Sequence, residues 1–165
     1  MDNLEELFNL TTTDKETEEE YLKLVSFKLG EEEYAFDINV IREIIKLVEI
    51  TRVPKSPPFV QGVINLRGRV IPVLNLAKRM GIKNTNTEQE DSKIMIIESE
   101  NRTIGLIVDS VSEVIEIPFS NIESNPIISH ETESEFISGV GKLDNRLFSI
   151  LDLEKILSFI HKRSE

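Results

Sequence analysis

The sequence contains no cysteine and no tryptophan, and only two of its 165 residues are histidines. Without cysteine there is no disulfide, no thiol nucleophile and no thiolate ligand for zinc. No run of about 18 apolar residues occurs, so no membrane span is predicted. The N-terminal segment is acidic and lacks the basic start of a signal peptide. Together these absences favour a cytoplasmic protein.

Positive charge is also scarce, because 19 Lys and Arg stand against 30 Asp and Glu, for a formal net charge of −11. Nucleic acids and anionic lipids are polyanions, so this balance argues against both as partners. The apolar fraction of 39% and the charged fraction of 30% are typical of a soluble globular protein. The length predicts one domain or two small ones.

The usual groups of catalysis are missing as well. His130 and His161 lie far apart in the sequence, and neither has a partner at metal-ligand spacing, so we interpret both as surface residues. No Gly-x-Ser-x-Gly turn and no phosphate-binding glycine loop is present. The sequence therefore predicts a protein that is not an enzyme and that needs neither a metal nor a cofactor.

The most informative stretch is Phe59–Met80, FVQGVINLRGRVIPVLNLAKRM. Two apolar, β-branched arms meet at Arg67-Gly68, which predicts a β-hairpin. The second arm contains Pro72, so that strand should be an edge strand or be bulged there. Residues 76–80 have helix-forming composition and predict a short helix.

The same pattern returns 77 positions later, over Phe136–Leu157. Identical residues fall on matching apolar and turn positions, and the pairs are Phe59/Phe136, Gly62/Gly139, Val63/Val140, Leu66/Leu143, Arg69/Arg146, Leu74/Leu151, Leu76/Leu153 and Lys78/Lys155. Residues 108–114 match residues 38–44 at an offset of 70, with Glu113 on Glu43. Matches at corresponding positions predict two copies of one structural unit.

Shorter patterns predict the remaining elements. Strand composition occurs in Tyr21–Leu29, Glu49–Val53, Lys93–Glu98 and Thr103–Asp109. A short helix, capped by Asp37 or by its own first residue, is predicted over Asn39–Ile45. Each copy then has about five short strands and one helical turn, which favours a small closed β-barrel.

We therefore predict a mostly β protein with two barrels. The predicted parts are an acidic tail at 1–20, a first barrel at about 21–85, a linker at 83–92, a second barrel at about 93–152 and an amphipathic C-terminal helix at 152–162. Because a core is marginal in a unit of this size, the two barrels should pack on each other.

Arg67, at the tip of the hairpin, has the most specific chemistry of the single residues. A guanidinium holds a carboxylate bidentately, as a lysine cannot. The carboxylate belongs either to this chain, with Glu43 as the candidate, or to a partner. An exposed turn arginine without a partner is the alternative.

These residues resemble the CheW family of chemotaxis coupling proteins over roughly Tyr21–Phe159. The stretches that carry the resemblance are LGEEEY at 29–34, Asp37-Ile38, VIREI at 40–44, GVINLRG at 62–68, VIPVLNL at 70–76 and GLIVD at 105–109. The resemblance implies two tandem five-stranded SH3-like β-barrels with short helices and a C-terminal helix. It also implies an adaptor that is monomeric when free and is recruited from the cytoplasm to membrane-associated chemoreceptor arrays.

The partners that the resemblance implies are the cytoplasmic tip of methyl-accepting chemoreceptors, in a groove between the barrels, and the regulatory domain of the histidine kinase CheA. Carried over by position, the receptor-coupling residues are Ile38, Ile41, Glu43, Arg67, Gly105, Val111 and Val114. The kinase-contact residues are Ile44, Glu123 and Ile128.

Other interpretations remain open at this point. The chain has no room for the additional domains of CheA or CheV, which favours a free-standing coupling protein. A self-assembling scaffold, or a scaffold for another partner, would have the same fold. A small-ligand-binding barrel is disfavoured, because no set of converging His, Asp and backbone donors is evident. The tail at 1–20 lies outside the resemblance, and its apolar residues predict a frayed turn or a docking peptide.

Overall fold

The structure, a computed structural model, describes residues 20–83, 90–124 and 135–163, the last three of these by their backbone. The strands of this part of the chain are β1 (Tyr21–Leu29), β2 (Glu32–Asp37), β3 (Ile41–Lys46), β4 (Val60–Leu66), β5 (Arg69–Asn75), β6 (Lys93–Ser99), β7 (Arg102–Val108), β8 (Ser110–Pro118), β9 (Ile122–Ser124), β10 (Ile137–Leu143) and β11 (Arg146–Leu151). Its helices are α1 (Leu76–Met80), α2 (Leu153–Ile156) and α3 (Ser158–Arg163), with 3-10 turns at Ile38–Val40 and Phe119–Asn121. Each helix described is too short to cross a membrane.

The strands form two sheets. The order in the six-stranded sheet is β8-β1-β2-β11-β10-β9, and in the five-stranded sheet it is β3-β6-β7-β5-β4. Two pairs, β2–β11 and β5–β7, are parallel, and the other neighbouring strands are antiparallel. The predicted mostly β fold with two strand assemblies and short helices is confirmed, although one assembly has six strands and not five.

A first barrel at 21–85 and a second at 93–152 would place every strand before residues 83–92 in one sheet and every strand after them in the other. The observed sheets are not divided in this way. The first two strands of each copy lie in the sheet of the other copy, because β1 and β2 join β8–β11 while β6 and β7 join β3–β5. The exchange is reciprocal. Ala35 and Gly105 are equivalent at the offset of 70. Ala35 pairs with Ile150, and Gly105 makes the matching pair with Val73.

Both predicted hairpins are present. β4 and β5 meet at Arg67-Gly68, and β10 and β11 meet at Asp144-Asn145. Arg67 and Gly68 have φ angles of 51° and 85°, and two positive φ angles are what a two-residue type I′ turn requires. The side-chain oxygen of Asn65 accepts the N–H of Gly68 at 2.9 Å, which fixes the turn further.

Gly62 lies where the backbone of Thr51 closely approaches β4. Its φ is 149°, and an added Cβ would lie 2.1 Å from the carbonyl oxygen of Thr51. Thr51 pairs with Val63 through two backbone hydrogen bonds of 2.8 and 2.9 Å. This isolated bridge is all that the structure shows of the strand predicted over Glu49–Val53. Pro54 follows directly, and a proline cannot donate to a ladder.

Pro72 lies in β5, which is an interior strand and not an edge strand. The Leu66–Arg69 pair closes the two-residue turn, so the Val63–Pro72 pair falls at a non-hydrogen-bonded position of the hairpin. The nitrogen of Pro72 therefore points towards β7, where pairing begins only at Val73. The missing N–H costs no ladder hydrogen bond, so this part of the strand behaves as a local edge.

The helix predicted over Asn39–Ile45 is wrong. The cap forms as expected, because the Asp37 carboxylate accepts the N–H of Asn39 at 2.9 Å, but it starts a single 3-10 turn, Ile38–Val40. The isoleucines that follow are β-branched, and they pair with β6 as strand β3.

The C-terminal helix predicted over 152–162 is divided into α2 and α3, which meet at Leu157. The Asp152 carboxylate caps α2 by accepting the N–H of Glu154 at 2.9 Å. The predicted inward face is confirmed, and its residues are Leu153, Ile156 and Leu157, which are buried, and Ile160, which is partly buried. The short helix predicted over 76–80 is α1.

Among the described residues, buried apolar side chains form three cores. The core of the six-stranded sheet consists of Leu24, Ala35, Ile115, Ile117, Phe148 and Ile150. The core of the five-stranded sheet consists of Ile64, Ile71, Val73, Ile94, Ile96 and Ile107. The largest, which we call the central core, draws on both sheets and on α1 and α2, and it includes Phe27, Tyr34, Phe36, Met80, Met95 and Leu106. The two sheets therefore pack on each other.

Candidate partner-binding site

The guanidinium of Arg67 forms an ion pair with the carboxylate of Glu43, so the predicted intramolecular pair is confirmed. Arg67 lies in the turn after β4, and Glu43 lies on β3, which is at the opposite edge of the same sheet. The two side chains meet because the five-stranded sheet curls until its edges approach, as in a closed barrel. The side chains are 69% and 30% exposed, and an exposed pair contributes at most about 1 kcal/mol. A partner carboxylate can therefore compete for Arg67 at little cost.

The equivalent corner of the six-stranded sheet has different chemistry. The offset of 70 carries Glu43 onto Glu113, but the residue equivalent to Arg67 is acidic. Glu113 pairs instead with Arg146, which also binds Glu33 at 2.7 Å. Both corners thus have a glutamate at the equivalent position, but Glu43 is bound by Arg67 and Glu113 by Arg146, which are not equivalent in the repeat.

Arg146 links three strands, a role that the sequence pattern showed only as a repeated arginine. The hydrogen bonds that it donates to the carboxylates of Glu33 and Glu113 raise the pKa of Arg146 well above the usual range. Its guanidinium carbon also lies 4.7 Å from the centre of the Phe148 ring. Arg146 therefore ties β11 to β2 and β8, across the mouth of the six-stranded barrel.

Three of the predicted receptor-coupling residues lie where the chain passes between the sheets. Ile38 is in the 3-10 turn that leads from β2 to β3, and this turn contacts both β1 and β6. Ile41 and Val111 are related by the offset of 70, and both pack against the central core. They pair with Ile97 and Phe27 of that core. The structure thus brings these residues to the line along which the sheets meet.

Ile44 and Val114 extend this line outwards on the two edge strands. They are also related by the offset of 70, and they are 38% and 55% exposed. Ile44 pairs with Met95 of the central core, and Val114 pairs with the buried Val25. We call Ile41, Ile44, Val111 and Val114 the groove surface. Ile41 and Val111 are partly buried, and Ile44 and Val114 are exposed. Exposed apolar side chains beside a partly buried pair make this surface a candidate protein contact.

Gly105 does not belong to this surface. It is buried, and a Cβ added to it would lie 2.8 Å from Ile94 and 3.3 Å from Val73, inside the five-stranded core. The structure therefore does not place Gly105 where it could contact a partner directly, and its predicted role in receptor coupling stays a prediction. The residue leaves room for the packing of β5 against β6, and any effect of a substitution there would be transmitted through the core.

Glu123 lies on β9, at the far edge of the six-stranded sheet. It borders an open depression of about 450 Å³ with Lys142, Asp144 and Leu147, and Leu147 is 61% exposed. We call these four residues the end surface. Ile44, predicted to share the kinase contact, lies in the other sheet, so the structure does not bring it together with Glu123.

Other predicted features lie outside the described residues. Ile128 and His130 fall within 125–134, most of the acidic tail falls within 1–19, and the side chain of His161 is not described. In the part of the chain that the structure covers, no group of three or more His, Cys, Asp or Glu residues is arranged to hold a metal ion.

Comparison with known proteins agrees with this geometry. The model of the CheW-like domain family matches residues 23–161. The chemotaxis protein CheW of Thermotoga maritima is 38% identical over 138 residues, covering 84% of this chain and 89% of that protein. The chemotaxis protein CheW of Bacillus subtilis is 36% identical over 135 residues, covering 82% and 86%.

A solved structure is also similar. The scaffolding protein TtCheW from Thermoanaerobacter tengcongensis is 40% identical, with a TM-score of 0.77, and the match covers 84% of this chain and 93% of that one. The family match thus extends over both sheets, the groove surface and the end surface. This chain belongs to the CheW family of chemotaxis proteins.

Proposed function

We propose that this protein is a non-catalytic adaptor that joins methyl-accepting chemoreceptors to the histidine kinase CheA and helps to build chemoreceptor arrays. Its relatives are chemotaxis proteins, and one similar protein of solved structure is described as a scaffolding protein. The observation that carries the proposal is the groove surface, where two exposed apolar edges flank the central core beside an exposed ion pair. An adaptor needs a second, separate surface, and the end surface lies at another edge of the molecule.

The receptor tip is the proposed occupant of the groove surface. Ile44 and Val114 offer apolar contacts from both edge strands, which suits an amphipathic helical segment that lays its apolar face into a groove. Arg67 adds a charged contact, because a receptor carboxylate can replace or join Glu43. Adjacent apolar and bidentate polar contacts give specificity as well as affinity.

The regulatory domain of CheA is the proposed partner of the end surface. Leu147 supplies an exposed apolar centre, and Glu123, Lys142 and Asp144 supply a charged rim. Interfaces commonly combine an apolar centre with a polar rim. Binding both partners at once would recruit the adaptor to membrane-associated receptor arrays, although the adaptor itself would not enter the membrane.

The experiment is co-sedimentation of the purified protein with receptor cytoplasmic fragments and CheA, with ATP added to follow kinase phosphorylation. Arg67→Ala should fold and should weaken receptor binding and receptor-dependent kinase activity about tenfold, the loss expected for one charge-assisted contact. Leu147→Asp should weaken CheA binding and leave receptor binding unchanged. Arg69→Ala is the matched control, because this neighbouring arginine binds only the Thr103 hydroxyl among the hydrogen bonds described.

Failure of the wild-type protein to bind any matched receptor and kinase would reject the adaptor function. Concentration-dependent self-association without either partner would favour the self-assembling scaffold. Unfolding of Arg67→Ala, seen by circular dichroism, would make Arg67 a structural residue.

A further inference from the structure

Arg79, on α1, lies at the centre of a cluster of three aromatic rings. Its guanidinium carbon is 5.1 Å from the ring centre of Phe59, 4.9 Å from that of Phe136 and 5.3 Å from that of Phe159. The rings of Phe59 and Phe159 themselves meet edge to face at 4.8 Å. A cation within about 6 Å of a ring centre is attracted by the ring. Arg79 makes three such contacts at once.

The same guanidinium holds the C-terminal helices. Its Nε donates to the carbonyl oxygen of Ile156 at 2.7 Å, and its Nη2 donates to the carbonyl oxygen of Lys155 at 3.1 Å and to the hydroxyl of Ser158 at 3.3 Å. Burial lowers the pKa of Arg79, and the nearby Glu135 carboxylate opposes that shift. The planar guanidinium can stack on rings and donate in several directions, whereas a lysine ammonium cannot stack in this way.

The cluster joins the two copies of the repeat. Phe59 and Phe136 are related by the offset of 77. Each lies directly before a hairpin, and each accepts an equivalent backbone hydrogen bond of 2.8 Å, from Asn75 and from Asp152. The position equivalent to Arg79 is occupied by Ile156. The second copy of the repeat therefore has no cation equivalent to Arg79, and the Arg79 guanidinium contacts the matching rings of both copies.

The cluster and the groove surface lie at different edges of the sheets. The groove surface is on β3 and β8, which are edge strands of their sheets, whereas Phe59 precedes β4, at the opposite edge of the five-stranded sheet. Phe136 precedes β10, four positions away from β8 in the order of the six-stranded sheet. Phe59, Phe159, Ile41 and Val111 all pack on the central core. The central core thus connects the cluster with Ile41 and Val111 of the groove surface.

We propose that Arg79 is a positioning residue for partner binding. It clamps the two sheets and the C-terminal helices together against the central core and thereby fixes the spacing of the groove surface, whose Ile41 and Val111 pack on the same core. The predicted effect on receptor binding rests on the proposed function, whereas the predicted effect on the spacing of the groove surface does not. Packed cores transmit displacement because they are dense and resist compression. A change in the clamp should therefore reach Ile41 and Val111 without any contact to them.

The test uses the full chain with Arg79→Met, which keeps much of the side-chain length and removes the charge and the donors, and with Arg79→Lys, which keeps the charge. The first readout needs no partner: the methyl NMR signals of Ile41, Ile44, Val111 and Val114 in the free protein. We expect these signals to shift in Arg79→Met, with a smaller shift in Arg79→Lys. In Arg69→Ala, the control on the hairpin, they should stay in place.

The second readout is binding of the receptor cytoplasmic fragment. Arg79→Met should weaken it about tenfold, within the range of about 5–150-fold that is typical of coupling between separate sites, and CheA binding at the end surface should weaken less. If wild-type protein binds no receptor, the proposed function fails, and the methyl signals still decide whether Arg79 fixes the groove surface. Unchanged methyl signals and unchanged receptor affinity in a folded Arg79→Met would overturn the inference and leave Arg79 as a local anchor of α2 and α3.

A second variant covers the possibility that Arg79→Met does not fold. Phe159→Leu removes one ring of the cluster, at a partly buried position, and keeps Arg79 and its hydrogen bonds. It should shift the same methyl signals in the same direction by a smaller amount. Shifts confined to the methyl groups of α2 and α3 would again overturn the inference.

Discussion

Two arginines at equivalent corners of the barrels should differ in their effect on stability. Arg146→Ala leaves the carboxylate of Glu33 without its partner, and the Glu33 side chain is only 17% exposed. We expect the free energy of unfolding to fall by about 1.5–3 kcal/mol, as for a lost hydrogen bond to a charged group. Arg67→Ala should cost less than about 1 kcal/mol, because that pair is exposed. Urea unfolding followed by circular dichroism measures both, and equal losses would contradict the distinction.

The same two arginines show how far single residues can be predicted from the sequence. The Arg67–Glu43 pair was predictable, since a guanidinium at a hairpin tip needs an acceptor and Glu43 belongs to the repeat. The Arg146–Glu33 pair was not, because the two residues are 113 positions apart and the residue equivalent to Glu33 is Thr103. Their contact depends on which strands share a sheet, which a local pattern does not contain.

Among the elements, the β4–β5 hairpin depends on one glycine. Gly62→Ala would put a Cβ 2.1 Å from the Thr51 carbonyl oxygen at a φ of 149°. We expect a loss of about 2–4 kcal/mol in the free energy of unfolding, because both the backbone strain and the clash must be relieved. Gly68→Ala is the control, since its Cβ would meet nothing within 4 Å, and its positive φ alone should cost about 1–2 kcal/mol. Comparable thermal denaturation midpoints for the two variants would contradict this prediction.

Elements whose signals are local were predicted well, and elements decided by distant neighbours were not. Turn residues and a glycine mark both hairpins within the hairpins themselves. Residues 39–45, by contrast, contain a helix cap followed by isoleucines that suit either a helix face or a strand. Pairing with β6 decided for the strand, and β6 is about 50 positions further along the chain. A short apolar run gives no information on a partner so far away.

The exchange of strands makes the whole molecule a single folding unit. A fragment of residues 20–83 contains β1 and β2 but lacks the strands on either side of them in the six-stranded sheet. We therefore expect this fragment and the fragment of residues 90–165 each to show no cooperative unfolding transition alone. Equimolar mixing should restore the β signal in circular dichroism and give a one-to-one complex by sedimentation. A cooperative transition in either fragment alone would contradict this expectation.

This arrangement could not be predicted from the repeat. A repeat at an offset of 70 or 77 indicates that two segments are equivalent. Equivalent strands have the same side-chain pattern, so this pattern does not decide which of the two sheets each strand joins. The connections decide, since the chain passes to the other sheet between β2 and β3 and passes back between β7 and β8. The third core, between the sheets, follows from that exchange and was predicted only as a contact between two barrels.

The order of strands along the chain also determines when each sheet can form during synthesis on the ribosome. The five-stranded sheet needs nothing beyond Val108, whereas the six-stranded sheet needs residues up to Leu151. At an elongation rate of about 5–20 residues per second, the β1–β2 hairpin waits for seconds before β8 and β11 emerge to cover it. Phe27 and Phe36 are fully buried in the finished protein. During that interval, only the nascent chain itself or a chaperone can cover these two rings and exclude water from them.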